Sequence, residues 1–133
     1  MKNLAGYIRA EAERLPTKAM NIQVDKNILH NFRVKCKERG LVLNNVIEVF
    51  VRQYGNRRYE LDRDNILKWK DNNVETDTLN CMIDKEAYNK FKDIVKSNRL
   101  YIRHVISAFI EDYINNDLIL EFVKENNNKQ EVD

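Results

Sequence analysis

Two segments of the chain alternate between polar and apolar residues. Residues 19–25 read AMNIQVD, and residues 78–84 read TLNCMID. A period of two predicts a β-strand with one buried face, so we expect a strand in each segment. In both segments the alternation ends at an aspartate, and a helical pattern follows it.

Each predicted strand is followed by two predicted helices. Asp25 is a good helix N-cap, because its carboxylate can accept hydrogen bonds from the first-turn amides. Gly40 then predicts a helix stop, since glycine readily takes the left-handed conformation. Apolar residues recur at helical spacing on both sides of this stop, at Leu29, Phe32, Cys36, Leu43, Val46, Ile47, Phe50, Val51 and Tyr54. The second helix carries the broader stripe, so we expect it to be the more deeply buried one.

The strand-helix-helix pattern occurs twice. Residues 17–54 and 76–113 align without a gap, and eleven of the 38 pairs are identical, including Asn21/Asn80 and Asp25/Asp84. This predicts an internal duplication, which decides the architecture. The place of Gly40 is taken by Arg99 in the second copy, and we expect the preceding Asn98 to adopt the left-handed conformation there.

The remaining segments flank the two copies within one compact domain. Residues 1–16 predict an amphipathic helix that ends at Pro16 and packs on the body or on a partner, and a weaker alternative is a DNA-contacting arm. Residues 55–75 are too apolar for a free linker, so a short helix around 61–70 and a turn at 71–73 are expected. Residues 114–133 predict a C-terminal helix with an apolar stripe of Leu118, Ile119, Phe122 and Val123, and an acidic tail whose last residues are polar enough for disorder.

A single strand has no hydrogen-bonding partner within its own copy. Its backbone groups must therefore pair with another strand, and the second copy supplies one. We predict a mostly α fold with a small two-stranded antiparallel ribbon above four helices. The side chains expected to face the helices are Met20, Ile22, Val24, Leu79, Cys81 and Ile83. Those expected to face outward are Ala19, Asn21, Gln23, Thr78, Asn80 and Met82.

Composition and charge limit the classes of protein to which the chain can belong. The net charge is +2, with an excess of positive charge in residues 17–54 and of negative charge in residues 114–133. No apolar run approaches the length of a membrane span, and the N-terminus lacks a signal-peptide core, so we expect a soluble, cytoplasmic protein without a membrane partner. Cys36 and Cys81 are interpreted as reduced core residues. No nucleophile motif, phosphate loop or metal-ligand cluster stands out, so we predict no enzyme, no catalytic residue, no metal and no cofactor.

The chain has a strand, a helix that starts at an aspartate, an Arg39-Gly40 turn and a second helix with an apolar stripe, in that order. This order resembles the ribbon-helix-helix superfamily of DNA-binding proteins, the Arc/MetJ/CopG group. The resemblance covers residues 17–54 and 76–113, in tandem in one chain. This arrangement is similar to TraY-type relaxosome accessory proteins of conjugative plasmids. It implies that the two copies form an intramolecular pseudo-dimer, and hence a monomer that can associate further on DNA.

The resemblance also implies a site. In this superfamily the ribbon enters the major groove, so the outward residues Ala19, Asn21, Gln23, Thr78, Asn80 and Met82 are expected to read bases in double-stranded DNA. The superfamily binds phosphates at the start of the second helix, where Val42 and Tyr101 depart from the usual small hydroxyl residues. The side chains expected to contact phosphates are Lys18, Lys26, Asn44, Lys85 and Arg103. For each lysine a solvated surface position is an equally good interpretation.

The resemblance leaves several roles open. We favour a sequence-specific transcriptional regulator, such as a repressor of plasmid or viral genes. A relaxosome or partition accessory protein of a mobile element is the nearest alternative. A different class is an adaptor or antitoxin-like protein that binds a protein partner through residues 118–123.

Overall fold

The computed structural model describes residues 16–70 and 73–116, of which 59% are helical. The strands and helices follow in the order β1 Thr17–Asp25, α1 Lys26–Glu38, α2 Leu43–Gly55, α3 Arg63–Leu67, β2 Thr76–Asp84, α4 Lys85–Ser97 and α5 Ile102–Asn115. β1 and β2 form one antiparallel sheet. The prediction of a mostly helical fold with a two-stranded antiparallel sheet is therefore confirmed. Each strand begins two residues before its strictly alternating segment.

The strand register pairs the two strands symmetrically about one central pair of equivalent residues. Asn21 lies opposite Asn80 at the centre of the ribbon. The ribbon ends repeat the same relation, because the amide of Lys26 donates to the carbonyl of Glu75 and the amide of Lys85 donates to that of Pro16, both at 2.9 Å. The other outward pairs are Ala19 with Met82 and Gln23 with Thr78.

Both strands lead directly into a helix through an aspartate. The Asp25 carboxylate accepts hydrogen bonds from the amides of Asn27 and Ile28, and the Asp84 carboxylate accepts one from Ala87. These bonds satisfy amides that have no partner within the helix. The predicted aspartate helix starts are confirmed.

The turn between the two helices of each copy needs one left-handed residue. Gly40 has φ +68° as predicted, but in the second copy Arg99 has φ +58° while Asn98 has φ −89°. The prediction for Asn98 is therefore wrong. Both turns are closed by the same bond, in which the amide of Leu41 or Leu100 donates to a carbonyl five residues earlier. This geometry requires the left-handed conformation immediately before the leucine, whichever residue stands there.

The core lies between the ribbon and the helices and is shared by the two copies. α1 packs against α5 and α2 packs against α4, so the helices of each copy cover the other copy. Phe50 and Phe109, which are equivalent in the two copies, stack at 4.2 Å between ring centroids. Five of the six inward strand residues are buried, and Ile22 is partly buried. The predicted inner face of the ribbon is confirmed, and so is the deep burial of the second helices.

The connecting segment packs on the body through α3. Ile66 is buried, and α3 contacts α5. The expected short helix is confirmed within narrower bounds than residues 61–70. The N-terminal helix of residues 1–16, most of the turn at 71–73, and the C-terminal helix and tail lie outside the described residues. Within residues 16–70 and 73–116, none of the helices is long and apolar enough to cross a membrane.

Candidate functional site

The outer face of the ribbon presents the side chains that the sequence placed there. Thr78 is half-buried, and the other five are exposed, namely Ala19, Asn21, Gln23, Asn80 and Met82. Successive side chains of a strand point to opposite faces, so burial of the inner set leaves this outer set together on one surface. We call these six residues the ribbon face.

The centre of the ribbon face is a pair of equivalent carboxamides. Asn21 and Asn80 lie directly opposite each other on the two strands, and both are exposed. A carboxamide carries a donor and an acceptor side by side, which makes it a versatile hydrogen-bonding group. The centre of the face is therefore polar and has the same chemistry in both copies.

One end of the ribbon face is a small hydrogen-bonded cluster. The Gln23 side chain donates to the Thr78 hydroxyl at 2.6 Å and accepts from the Thr76 hydroxyl at 3.0 Å. The two threonines lie two residues apart on β2, so they hold the carboxamide between them. One N–H and one oxygen lone pair of Gln23 remain for a ligand.

The other end of the ribbon face is apolar. Met82 is 52% exposed and lies opposite Ala19. Neither side chain has a conventional hydrogen-bond donor, and only the weakly accepting thioether of Met82 is polar. The two ends of the face therefore offer opposite chemistry.

The free edge of β2 is fixed by side chains of α2. Asn44 donates to the carbonyl of Met82 at 3.0 Å and accepts from its amide at 2.8 Å, and Glu48 accepts from the amide of Asp84 at 2.8 Å. The Asn44 carboxamide is therefore engaged by the strand, and its expected contact with a phosphate stays a prediction. Two residues four apart on one face of a helix have a spacing similar to that of two residues two apart on a strand. Asn44 and Glu48 can therefore bind Met82 and Asp84 at the same time, which fixes the position of the ribbon on α2.

The equivalent edge of β1 is not held in this way. Arg103 and Ser107 stand in place of Asn44 and Glu48, and the Ser107 hydroxyl donates to the Arg103 carbonyl of its own helix at 2.7 Å. A cavity of about 180 Å³ lies between this edge and α5. The exposed Arg103 donates from Nε to His104 Nε2 at 3.3 Å, and its guanidinium lies 6.0 Å from the Tyr101 ring centroid. Arg103 thus places a cation at the start of α5, and its contact with a phosphate stays a prediction.

The three predicted phosphate-contacting lysines lie near the ribbon ends. Lys18 and Lys85 are exposed, and neither pairs with a carboxylate of the residues that the structure describes. Lys26 forms an ion pair with Glu75 at 3.2 Å, with both side chains more than half exposed. An exposed pair contributes little stability, so Lys26 can exchange this partner for another anion.

The second helix of each copy begins without a side-chain cap. Val42 and Tyr101 occupy the N-cap positions, accept no hydrogen bond with their side chains, and are 62% and 63% exposed. The first amides of a helix have no partner within it and carry partial positive charge. Two uncapped helix starts therefore lie at equivalent places in the two copies.

The pKa values of one carboxyl group on the ribbon and of two buried thiols are shifted. The pKa of Asp77 is lowered, first by the hydrogen bond from the Thr78 amide and then by Arg33, which lies 3.3 Å from its carboxylate. Burial raises the pKa of the Cys36 and Cys81 thiols to about 11 each, and for Cys81 the nearby Glu48 carboxylate adds to the effect. Both thiols stay protonated at neutral pH, which agrees with their assignment to the core.

The side-chain contacts that fix the ribbon were not predicted from the sequence. Asn44 and Glu48 are polar residues four apart on a helix that also carries an apolar stripe. This spacing was the feature of the sequence that could have predicted a shared polar contact. The Gln23 cluster gave no signal, because its partners are more than 50 residues away in sequence. In the part of the chain that the structure describes, no group of three His, Cys, Asp or Glu side chains is arranged to hold a metal ion.

Comparisons of the chain with protein-family models, curated proteins and solved structures found no match.

Proposed function

We propose that this chain is a tandem ribbon-helix-helix protein whose two copies form an intramolecular pseudo-dimer, and that it binds double-stranded DNA through the ribbon face. The observation that carries the proposal is the register, which sets Asn21 opposite Asn80. Two copies of one unit thereby meet about a central pair of exposed carboxamides. Such a face matches the local two-fold symmetry of a DNA duplex.

The dimensions of the ribbon support insertion into the major groove. Paired strands lie about 4.8 Å apart, and the major groove is about 12 Å wide and admits a two-stranded ribbon. The side chains of the ribbon face then meet base edges. Asparagine and glutamine can form two hydrogen bonds with adenine, and methionine or alanine can contact the thymine methyl group.

Positive groups on both sides of the ribbon support phosphate binding. The uncapped starts of α2 and α5 offer free amides to an anion, and Arg103 adds a cation at the second of them. Lys18 and Lys85 extend this positive character to the ribbon ends. Phosphate contacts position a protein on the duplex, while the ribbon face supplies the sequence preference.

Among the roles open to such a protein, we propose sequence-specific transcriptional regulation. The decisive experiment is selection of bound sequences from a random duplex pool, followed by location of the selected site. A site beside a promoter supports regulation, whereas a site beside a transfer or partition origin supports an accessory role in a mobile element.

The adaptor role depends on residues 118–123, which lie outside the described residues. Deletion of residues 115–133 tests it. DNA binding that survives the deletion while a protein partner is lost would support this role, and loss of DNA binding alone would count against it.

Substitution of the central carboxamides tests base reading directly. Asn21→Ala and Asn80→Ala should each weaken binding to the selected duplex by roughly 5- to 150-fold, the value of one good bidentate contact. Binding to random DNA should change little. The matched control is Asn31→Ala, an exposed asparagine on α1 away from the ribbon. Equal losses on selected and random duplexes would contradict base reading.

A further inference from the structure

The ribbon face differs between the two copies at two positions only. The outward series on this face is Ala, Asn, Gln in β1 and Thr, Asn, Met in β2. The antiparallel register brings the differing residues together, because Gln23 lies opposite Thr78 and Met82 lies opposite Ala19. One end of the ribbon face therefore carries the polar pair Gln23 and Thr78, and the other end carries the apolar pair Met82 and Ala19.

The polar end is preorganised for a purine edge. Gln23 is held by hydrogen bonds to Thr76 and Thr78 at 3.0 and 2.6 Å, so its carboxamide does not have to be ordered when a ligand binds. One N–H donor and one lone pair of the carboxamide remain. Adenine presents the complementary pair, N7 as acceptor and N6 as donor, in the major groove.

The apolar end is suited to a methyl group. Met82 is 52% exposed, lies opposite Ala19, and has a flexible, polarisable thioether side chain that adapts to apolar surfaces. Thymine is the base that presents a methyl group in the major groove. Guanine or cytosine at this place would leave polar groups facing apolar side chains, which is unfavourable.

We propose that the chain binds a non-palindromic duplex site, with an adenine under Gln23 and a thymine methyl group under Met82 and Ala19. This inference rests on the proposed insertion of the ribbon into the major groove. Ala19 and Gln23 are four residues apart on β1, which is about 13 Å along a strand. At about 3.4 Å per base pair, the two contacts fall about four base pairs apart.

Two substitutions should make the site symmetric. Thr78→Ala combined with Met82→Gln gives both strands the outward series of β1. The phosphate-contacting groups still differ between the copies, but phosphate contacts carry no direct sequence information. The symmetric variant should therefore select a palindrome from a random duplex pool, whereas the unchanged chain selects a non-palindromic site.

A second variant guards against a folding defect in the first. Ala19→Thr combined with Gln23→Met gives both strands the series of β2, and it should also select a palindrome, now with thymine contacts in both halves. All four positions lie on the outer face rather than in the core. Circular dichroism before selection identifies a variant that has not folded. The site selected by the other variant then tests the inference.

Removal of the methyl group locates the apolar contact. Replacement of the thymine under Met82 by deoxyuridine should weaken binding by about fourfold, the effect of one buried methyl group. The same replacement should have a smaller effect on Met82→Gln protein, in which only Ala19 remains to contact the methyl group. Replacement of a thymine outside the site is the matched control.

The outcomes separate this inference from the proposed function. A palindromic site for the unchanged chain, or a symmetric variant that still selects the asymmetric site, would overturn the inference while DNA binding stands. Insensitivity to deoxyuridine would overturn the methyl contact. No enrichment of any duplex by the unchanged chain would overturn the proposed function and this inference together.

Discussion

The two copies of the strand-helix-helix unit fold alike but hold the ribbon differently. In the first copy, α2 binds the free edge of β2 through Asn44 and Glu48. In the second copy, Arg103 and Ser107 leave the equivalent edge of β1 beside a cavity. A ribbon edge at the surface can exchange protein hydrogen bonds for water, so the fold does not require the two edges to be held in the same way.

The largest effect should come from the aromatic pair at the centre of the core. Phe50→Ala should lower the free energy of unfolding by about 3–5 kcal/mol, because it leaves a cavity among fully buried rings. Phe109→Ala, at the equivalent position, should cost a similar amount. Urea unfolding of both variants measures this. A single transition is expected, since the helices of each copy pack on the other, and separate transitions for the two copies would contradict a shared core.

The second effect concerns the ribbon edge. Asn44→Ala removes two hydrogen bonds to Met82 and should cost about 1–3 kcal/mol, because each bond contributes about 0.5–1.5 kcal/mol. Arg103→Ala, at the equivalent position, should change the free energy of unfolding by less than about 0.5 kcal/mol. Urea unfolding compares the two variants. Amide hydrogen exchange at Met82 should accelerate in Asn44→Ala alone, and equal costs for both variants would remove the proposed difference between the edges.

The third effect concerns the left-handed turn residues. Gly40→Ala should cost about 1 kcal/mol, because alanine disfavours φ +68° although its Cβ would meet no atom within 4 Å. Arg99→Gly should have the opposite sign and stabilise the protein by less than about 1 kcal/mol, since glycine relieves the left-handed strain but gains entropy in the unfolded chain. Thermal unfolding of the two variants tests the contrast. A loss of stability in both would contradict it.

The last effect depends on pH and concerns the two thiols. The pKa of Cys36 and Cys81 is about 11 in the folded protein against 9.0 for a free thiol, so stability should fall as pH rises from 9 and continue to fall through 11. The thiols of the unfolded chain lose their protons at a lower pH than those of the folded protein, so rising pH lowers the free energy of unfolding. Glu48→Gln should lower the pKa of Cys81, because it removes a neighbouring negative charge, and leave that of Cys36 unchanged. Thiolate absorbance against pH measures both, and equal shifts would place Glu48 away from Cys81.

Most of the fold was predictable because local and repeated signals agree. The alternating segments specify strands, Asp25 and Asp84 specify helix starts, and the apolar stripes specify which helix faces are buried. The duplication added the decisive constraint that the strand of each copy needs a partner. The prediction for Asn98 failed because the hydrogen bonds that close the turn, and not residue preference, fix which position is left-handed.

The sequence by itself determined the elements, the buried faces and the outward residues of the ribbon, since periodicity encodes them locally. Only the tertiary structure decided which outward residues contact each other and which edge of the ribbon is held. The bonds of Gln23 to Thr76 and Thr78, and of Asn44 to Met82, join residues that are 38 to 55 positions apart. Contacts over such separations depend on the strand register and on the packing of α2 beneath the ribbon, and no local pattern records either of them.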